Sequence, residues 1–344
     1  MKKEYQSIPF IILCLLLNIQ RSAAQDKWEM IVNLKGNWKF AIGDNKRWTE
    51  PDFSDREWEN ILVPSNWEDE GFNGYNGHAW YRKTFEGSAL NNSKWTFDLF
   101  LGYIDDVDEV YLNGHKIGGS GSFPPKYHTA YNASRKYHMP GEYINFNGKN
   151  VIAVRVYDAE HYGGIVSGQV GIFTNKDDED LAINLRGIWD FKITGRNEGY
   201  QEFDKSYLLN LSQSANEEKD NNGKRWVNIT VPGVWEHQGF NDYNGSAWYR
   251  KTFTIPASLK GEDLILMLGK IDDYDKTYLN GKLVGTTNHY NKLRIYNITS
   301  DMFNSGTNTL LIYVNDPQGY GGIYDSPIGL MKQSDFTRYF RWRK

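Results

Sequence analysis

The chain has 344 residues, enough for two domains that each bury a core of their own. Its formal net charge of -4 excludes binding to nucleic acid or anionic lipid driven by bulk charge. A single cysteine, Cys14, excludes an internal disulfide framework and a multi-cysteine metal site.

In chain order, the first element is a leader. Lys2 and Lys3 precede an apolar run over residues 8–17, and Ser22-Ala23-Ala24 offers small residues for cleavage. Residues 1–24 therefore read as an export signal, and secretion or a periplasmic location is expected. The run is shorter than the roughly 20 residues a span requires, so no transmembrane anchor is expected. Cys14 sits inside this run among leucines, which does not fit a lipid-anchored cysteine.

From there the chain reads twice. Leu34-Lys35-Gly36-Asn37-Trp38-Lys39-Phe40 matches Leu185-Arg186-Gly187-Ile188-Trp189-Asp190-Phe191, and residues 63–85 match 231–253. Residues 101–118 then match 268–285, and 150–165 match 308–323, in the same order. This predicts two copies of one domain, residues 25–178 and 179–344, joined at the charged run 174–180. Short β-branched or aromatic segments at 95–101, 151–157, 264–268 and 309–314 predict strands. Asn113-Gly114 and Asn280-Gly281 predict hairpin turns, because both turn residues need positive φ. Long helical periodicity is nearly absent. The fold class is therefore all-β, two tandem jelly-roll β-sandwiches. Each copy also has an insertion of its own. In the first, residues 118–128 form either an aromatic lip or a loop packed on its own sandwich. In the second, 196–225 is a polar insertion whose stretch 216–223 reads as a surface loop.

The repeated order Leu-x-Gly-x-Trp-x-Phe, Val-Pro-x-x-Trp-Glu, Trp-Tyr-Arg-x-Thr-Phe, Asp-Asp-x-Asp-x-x-Tyr-x-Asn-Gly and Tyr-Gly-Gly-Ile resembles a known domain. It is similar to the galactose-binding-like jelly roll, the sugar-binding domain of glycoside hydrolase family 2 enzymes such as β-galactosidases. Sialate O-acetylesterases contain a similar domain, and Ile104-Asp105-Asp106 and Ile271-Asp272-Asp273 resemble that version most. The resemblance implies carbohydrate binding rather than chemistry, since in those enzymes catalysis sits on other domains. These residues hold neither the roughly 250 residues of alternating strand and helix of a barrel nor a Gly-Asp-Ser nucleophile block. Asp158-Ala159-Glu160-His161 has the spacing of an acid–base pair, but the second copy loses the histidine.

Sugars are held by an aromatic face against ring C–H groups, with planar carboxylates or amides taking hydroxyls. Trp67, Glu68, Tyr75 and Asn76 supply those types in the first copy, and Trp235, Glu236, Tyr243 and Asn244 in the second. The same residues also suit a turn with a tryptophan plugging the sandwich end. Arg135 and Arg294, read as loop residues, are candidates to grip a ligand carboxylate. Tyr162 and Tyr320, each followed by two glycines, stand either at an exposed edge or in a structural turn. Asp105, Asp106, Asp272 and Asp273 form the densest acidic pairs. They suit calcium, sugar hydroxyls or internal caps, although one strand alone cannot supply the 6–8 oxygens of a calcium site.

The expectation is an exported carbohydrate-binding protein of polysaccharide metabolism, not catalytic by itself. Its partners would be an oligo- or polysaccharide and a separate catalytic glycoside hydrolase, with no cofactor beyond structural calcium. The alternative is a glycoside hydrolase, esterase or lyase working in the groove between the sandwiches, with carboxylates such as Glu68, Asp106 or Asp158 as acid and base.

Overall fold

A computed structural model describes residues 27–90, 96–195, 202–214 and 225–341; the expected leader 1–24 and the polar stretch 216–223 lie outside them. The first half forms β1 (Trp28–Asn33), β2 (Gly36–Ile42), β3 (Glu59–Val63), β4 (Gly77–Glu86) and β5 (Phe97–Asp105). It continues with β6 (Val107–Leu112), β7 (His115–Ser120), β8 (Ser134–Met139), β9 (Lys149–Asp158) and β10 (Gly164–Asn175). Four strands in the order β1-β10-β5-β8 face six in the order β3-β2-β4-β9-β6-β7, every pair antiparallel.

The second half follows the same plan. Its first strands are β11 (Ile183–Asn184), β12 (Gly187–Gly195), β13 (Val227–Val231), β14 (Gly233–Val234), β15 (Gly245–Thr254) and β16 (Leu264–Asp272). They are followed by β17 (Tyr274–Leu279), β18 (Lys282–Asn288), β19 (Leu293–Ile298), β20 (Thr307–Asp316), β21 (Gly322–Ile323) and β22 (Ile328–Lys332). One sheet is β13-β12-β15-β20-β17-β18; the other is centred on β16, which pairs with β19, β21 and β22. The chain is all-β, with two nine-residue helices among the described residues, α1 (Lys205–Gln213) and α2 (Gln333–Arg341).

Alternation explains the cores. Trp38 and Phe40 of β2 point inward together, as do Val110 and Leu112 of β6, and they pack with Leu99 and Leu101 from the facing sheet. Trp189, Phe191, Leu266 and Leu268 build the second core in the same way. In β4, Tyr81 enters the core while Trp80 and Arg82 point outward. There Trp80 is covered by Trp48, with ring centroids 6.0 Å apart, and Arg82 pairs with Asp55 at 2.9 Å. The second half covers that outer face differently, with Leu208 and Leu211 of α1 lying over Trp248 and Tyr313. The predicted hairpins form with positive φ at Asn113, Gly114, Asn280 and Gly281.

Contacts of the segment 174–186 set the halves together. The charged run 174–180 is not a loose tether: Thr174 and Asn175 end β10, and Asp178 is buried. Arg186 accounts for this. Its guanidinium donates to both oxygens of Asp98 (2.7 and 2.8 Å), to Thr96 (3.0 Å) and to Asp178, and meets His138 Nδ1 at 2.9 Å. The loop 118–128 packs on its own sandwich. Phe123 stacks on His78 at 5.7 Å, and Arg155 lies 4.1 Å over the Phe123 ring.

The turn carrying His237 packs against β7 of the first sandwich. Burial, with Arg135 and Lys116 nearby, lowers the His237 pKa to about 4. The unfolded chain takes up this proton near pH 6.5, so stability is present above that pH and lost as pH falls toward 4. Between pH 7 and 5 His237 should cost about 1–2 kcal/mol. Urea midpoints measured at both pH values should show a shallower drop for His237→Asn than for the parent.

Candidate functional site

At the end of each sandwich the chain crosses from one sheet to the other through an Asp–Asp pair. Asp105 ends β5 in the four-stranded sheet, and Val107 begins β6 in the six-stranded one. Asp272 and Asp273 make the same crossing between β16 and β17. The Asp106 N–H donates to Tyr157 O of β9 at 3.2 Å, and Asp273 N–H to Asn315 O of β20 at 3.4 Å.

Buried arginines hold these corners. Arg135 of β8 donates through Nε to Asp108 Oδ1 (2.7 Å) and through Nη2 to Asp106 O (2.9 Å). Tyr137 O–H closes on Asp108 Oδ2 at 2.6 Å. Arg294 repeats the pattern with Asp275 Oδ1 at 2.8 Å and Asp273 O at 2.8 Å, and Tyr296 caps Asp275 at 2.8 Å. This corrects the expectation for Arg135 and Arg294. They are strand residues, 1% and 0% exposed, and their donors are spent inside the protein, so neither presents a guanidinium to a ligand.

Around each corner the carboxylates converge. Asp158, the last residue of β9, pairs in register with Gly77 and meets Asp105 and Asp106 across the gap between the sheets. One carboxylate oxygen from each of the three lies within 4.8 Å of the others, and Asp272, Asp273 and Asp316 do the same. Sequence reasoning placed the pairs but missed Asp158 and Asp316 as their partners. Both stand at matching places just before Tyr-Gly-Gly, and that shared position is the signal that could have found them.

Burial raises the Asp105 pKa to about 7, assisted by its hydrogen bond to Asp106 and by the Asp106 charge. Burial, with the Asp106 charge second, raises Asp158 to about 7. Asp106 also feels burial, but hydrogen bonds from Thr129, Tyr127 and the Ala159 N–H more than offset it and lower its pKa. In the second half burial raises Asp272 to about 7 and Asp316 to about 6.

Glu68 and Glu236 brace the turn above each cluster. Glu68 accepts from the Gly163 N–H (3.2 and 3.4 Å), and Glu236 from the Gly321 N–H (3.1 Å to each oxygen). Both are engaged in the fold, and burial raises the Glu236 pKa to about 7. Trp67 and Trp235 are 0% exposed and plug the sandwich ends, which corrects the expectation of a ring face open to a ligand. They explain the first glycine of each Tyr-Gly-Gly: a Cβ on Gly163 would sit 2.2 Å from the Trp67 ring, and one on Gly321 1.9 Å from Trp235.

Tyr75 and Tyr243 also face inward, donating to His78 O (2.6 Å) and Ser246 O (2.7 Å). Asn76 is exposed and Asn244 half-buried. Tyr162 and Tyr320 stand out, each 59% exposed on the turn that Glu68 or Glu236 braces.

Residues 43–162 match the family model of the β-galactosidase second all-β domain. This stretch is an all-β domain of the glycoside hydrolase family 2 type. The chain is 28% identical over 214 residues to the β-galactosidase BoGH2A of Bacteroides ovatus, covering 58% of this chain and 23% of that protein. It is 33% identical over 169 residues to a Formosa agariphila protein with a provisional β-glucuronidase name, covering 45% of this chain and 15% of the relative. This chain thus spans less than a quarter of the length of either relative. A Bacteroides uniformis β-glucuronidase crystal structure overlaps 85% of this chain and 28% of its own, at 14% identity and a TM-score of 0.36.

The buried pair Arg135–Asp108 gives a direct test. Removing one member strands a charge in the core, so Asp108→Asn or Arg135→Met should each cost about 3–5 kcal/mol in urea unfolding. Replacing both should cost less than the sum of the single changes, as a double-mutant cycle would measure.

Proposed function

We propose that this chain binds carbohydrate as a pair of all-β modules related to glycoside hydrolase family 2. The β-galactosidase and β-glucuronidase names of its relatives support the ligand class. The observation that carries the reading is the matched exposure of Tyr162 and Tyr320. Each offers an open ring on a turn braced by Glu68 or Glu236, at the sandwich end that also carries Asn76 or Asn244. A phenol ring against sugar C–H groups with amide groups nearby is the chemistry a pyranose needs. Export through residues 1–24 belongs to this reading, since a polysaccharide is met outside the cytoplasm. So does action beside a separate catalytic glycoside hydrolase.

Catalysis in the groove between the sandwiches gains no support from its geometry. A cleft of about 230 Å³ lies there, and the one carboxylate among its described lining residues is Asp98, which Arg186 holds in a bidentate ion pair. A glycosidase requires two opposed carboxyl groups about 5–9.5 Å apart with a sugar between them. The aspartate clusters are tighter than that, and Asp158 and Asp316 are sealed from solvent.

Shallow single sites should bind in the millimolar to micromolar range, with gain from avidity when both engage one polymer. Titration calorimetry across plant and host polysaccharides should find a ligand. Tyr162→Ala and Tyr320→Ala should each weaken it about 10-fold, the equivalent of losing one stacked ring. Unchanged affinity in the double variant, with the fold intact by circular dichroism, would place any binding elsewhere.

A further inference from the structure

We propose that each sandwich binds one calcium-like divalent cation at its sheet-crossing corner, between Asp105, Asp106 and Asp158 in the first and Asp272, Asp273 and Asp316 in the second. Ligand oxygens about 2.4 Å from a shared ion lie at most about 4.8 Å apart. Both clusters meet that geometry, with all three carboxylates within 4.8 Å of one another.

A second observation points to a ligand. Asp158 and Asp316 are each 0% exposed, and the Oδ2 atom of each has no hydrogen-bond partner. Their Oδ1 atoms do have one, the N–H of Glu160 (3.3 Å) and of Gln318 (3.1 Å). A sealed carboxylate oxygen without a donor is costly, and a cation satisfies it.

Among the described residues no side chain takes that role. The nearby guanidiniums of Arg135 and Arg294 are committed to Asp108, Asp275 and backbone carbonyls. Among the described residues none of the six aspartates forms an ion pair. Asp106 accepts from Thr129 and from the Ala159 N–H, yet each carboxylate oxygen has a second lone pair for a metal. An all-oxygen set with neither His nor Cys selects a hard cation over zinc. Three residues beyond the Asp–Asp pair the chain carries Glu109 in one half and Lys276 in the other, while the three aspartates stand in both.

The experiment uses the full chain stripped with EDTA, and calcium alone as the probe, so it does not depend on any carbohydrate. Calorimetry and elemental analysis after dialysis should find two calcium ions per chain. At a hundredfold excess over Kd the unfolding midpoint should rise by about 5–10 °C. Asp158→Asn and Asp316→Asn keep side-chain shape and should each remove one ion; the double variant should lose both ions and the thermal shift while melting normally in EDTA. Fewer than one ion bound by the folded parent would overturn the proposal, and so would binding unchanged in the double variant. Either result would leave corners in which carboxyl groups share protons.

Discussion

The buried pairing of Arg135 with Asp108, and of Arg294 with Asp275, is the constraint on which each sandwich turns. In each case the carboxylate belongs to one sheet and the guanidinium to the other, so the ion pair spans the gap that the apolar core fills. Such a pair pays its desolvation only when every remaining donor finds an acceptor. Here the other guanidinium nitrogens reach carbonyls of the corner itself, Asp106 O in the first half and Asp273 O in the second. The same interaction that ties sheet to sheet therefore sets where the Asp–Asp pair sits. The aspartate from β9 or β20 then falls into place beside it.

The likeness of the two corners contrasts with the differences around them. The outer face of the six-stranded sheet is covered by aromatic loops in one half and by a short helix in the other. One backbone position, Lys35 in the first half, is an exposed surface residue; its counterpart Arg186 is the buried hub between the sandwiches. A long guanidinium has enough donors to satisfy two carboxylates and a hydroxyl at once, which an ammonium in that setting does not match geometrically. Divergence has gone into what each sandwich touches, and the crossing corner has been left alone.

This separation organises the functional reading. The tryptophans and arginines that look most like ligand residues are structural, while Tyr162 and Tyr320 project into solvent, each 59% exposed. Carboxylates packed this closely suit a shared cation better than the two sides of a sugar. A metal there would stiffen the turn that carries each tyrosine, because Glu68 and Glu236 brace that turn just above the cluster.

Alternating apolar residues, Asn-Gly turns and the doubled motif order were enough to read an all-β pair of sandwiches from the chain alone. Period and turn chemistry are local properties, and each copy checks the other. Glu68, Tyr162 and the Asp–Asp pairs could be singled out on the same footing. What a side chain faces is a different matter. Arg135 looked like a loop residue until β8 took it into the core, and Trp67 suited a sugar platform and a sandwich plug alike until Gly163 closed over it. Asp158 lies some fifty residues from Asp105, and only the packing of β9 against the corner joins them. The sequence by itself determined which residue types each copy keeps and where its strands run. The tertiary structure alone decided which of those groups are sealed, which stay open and which carboxylates meet, because burial and convergence arise from contacts between distant segments.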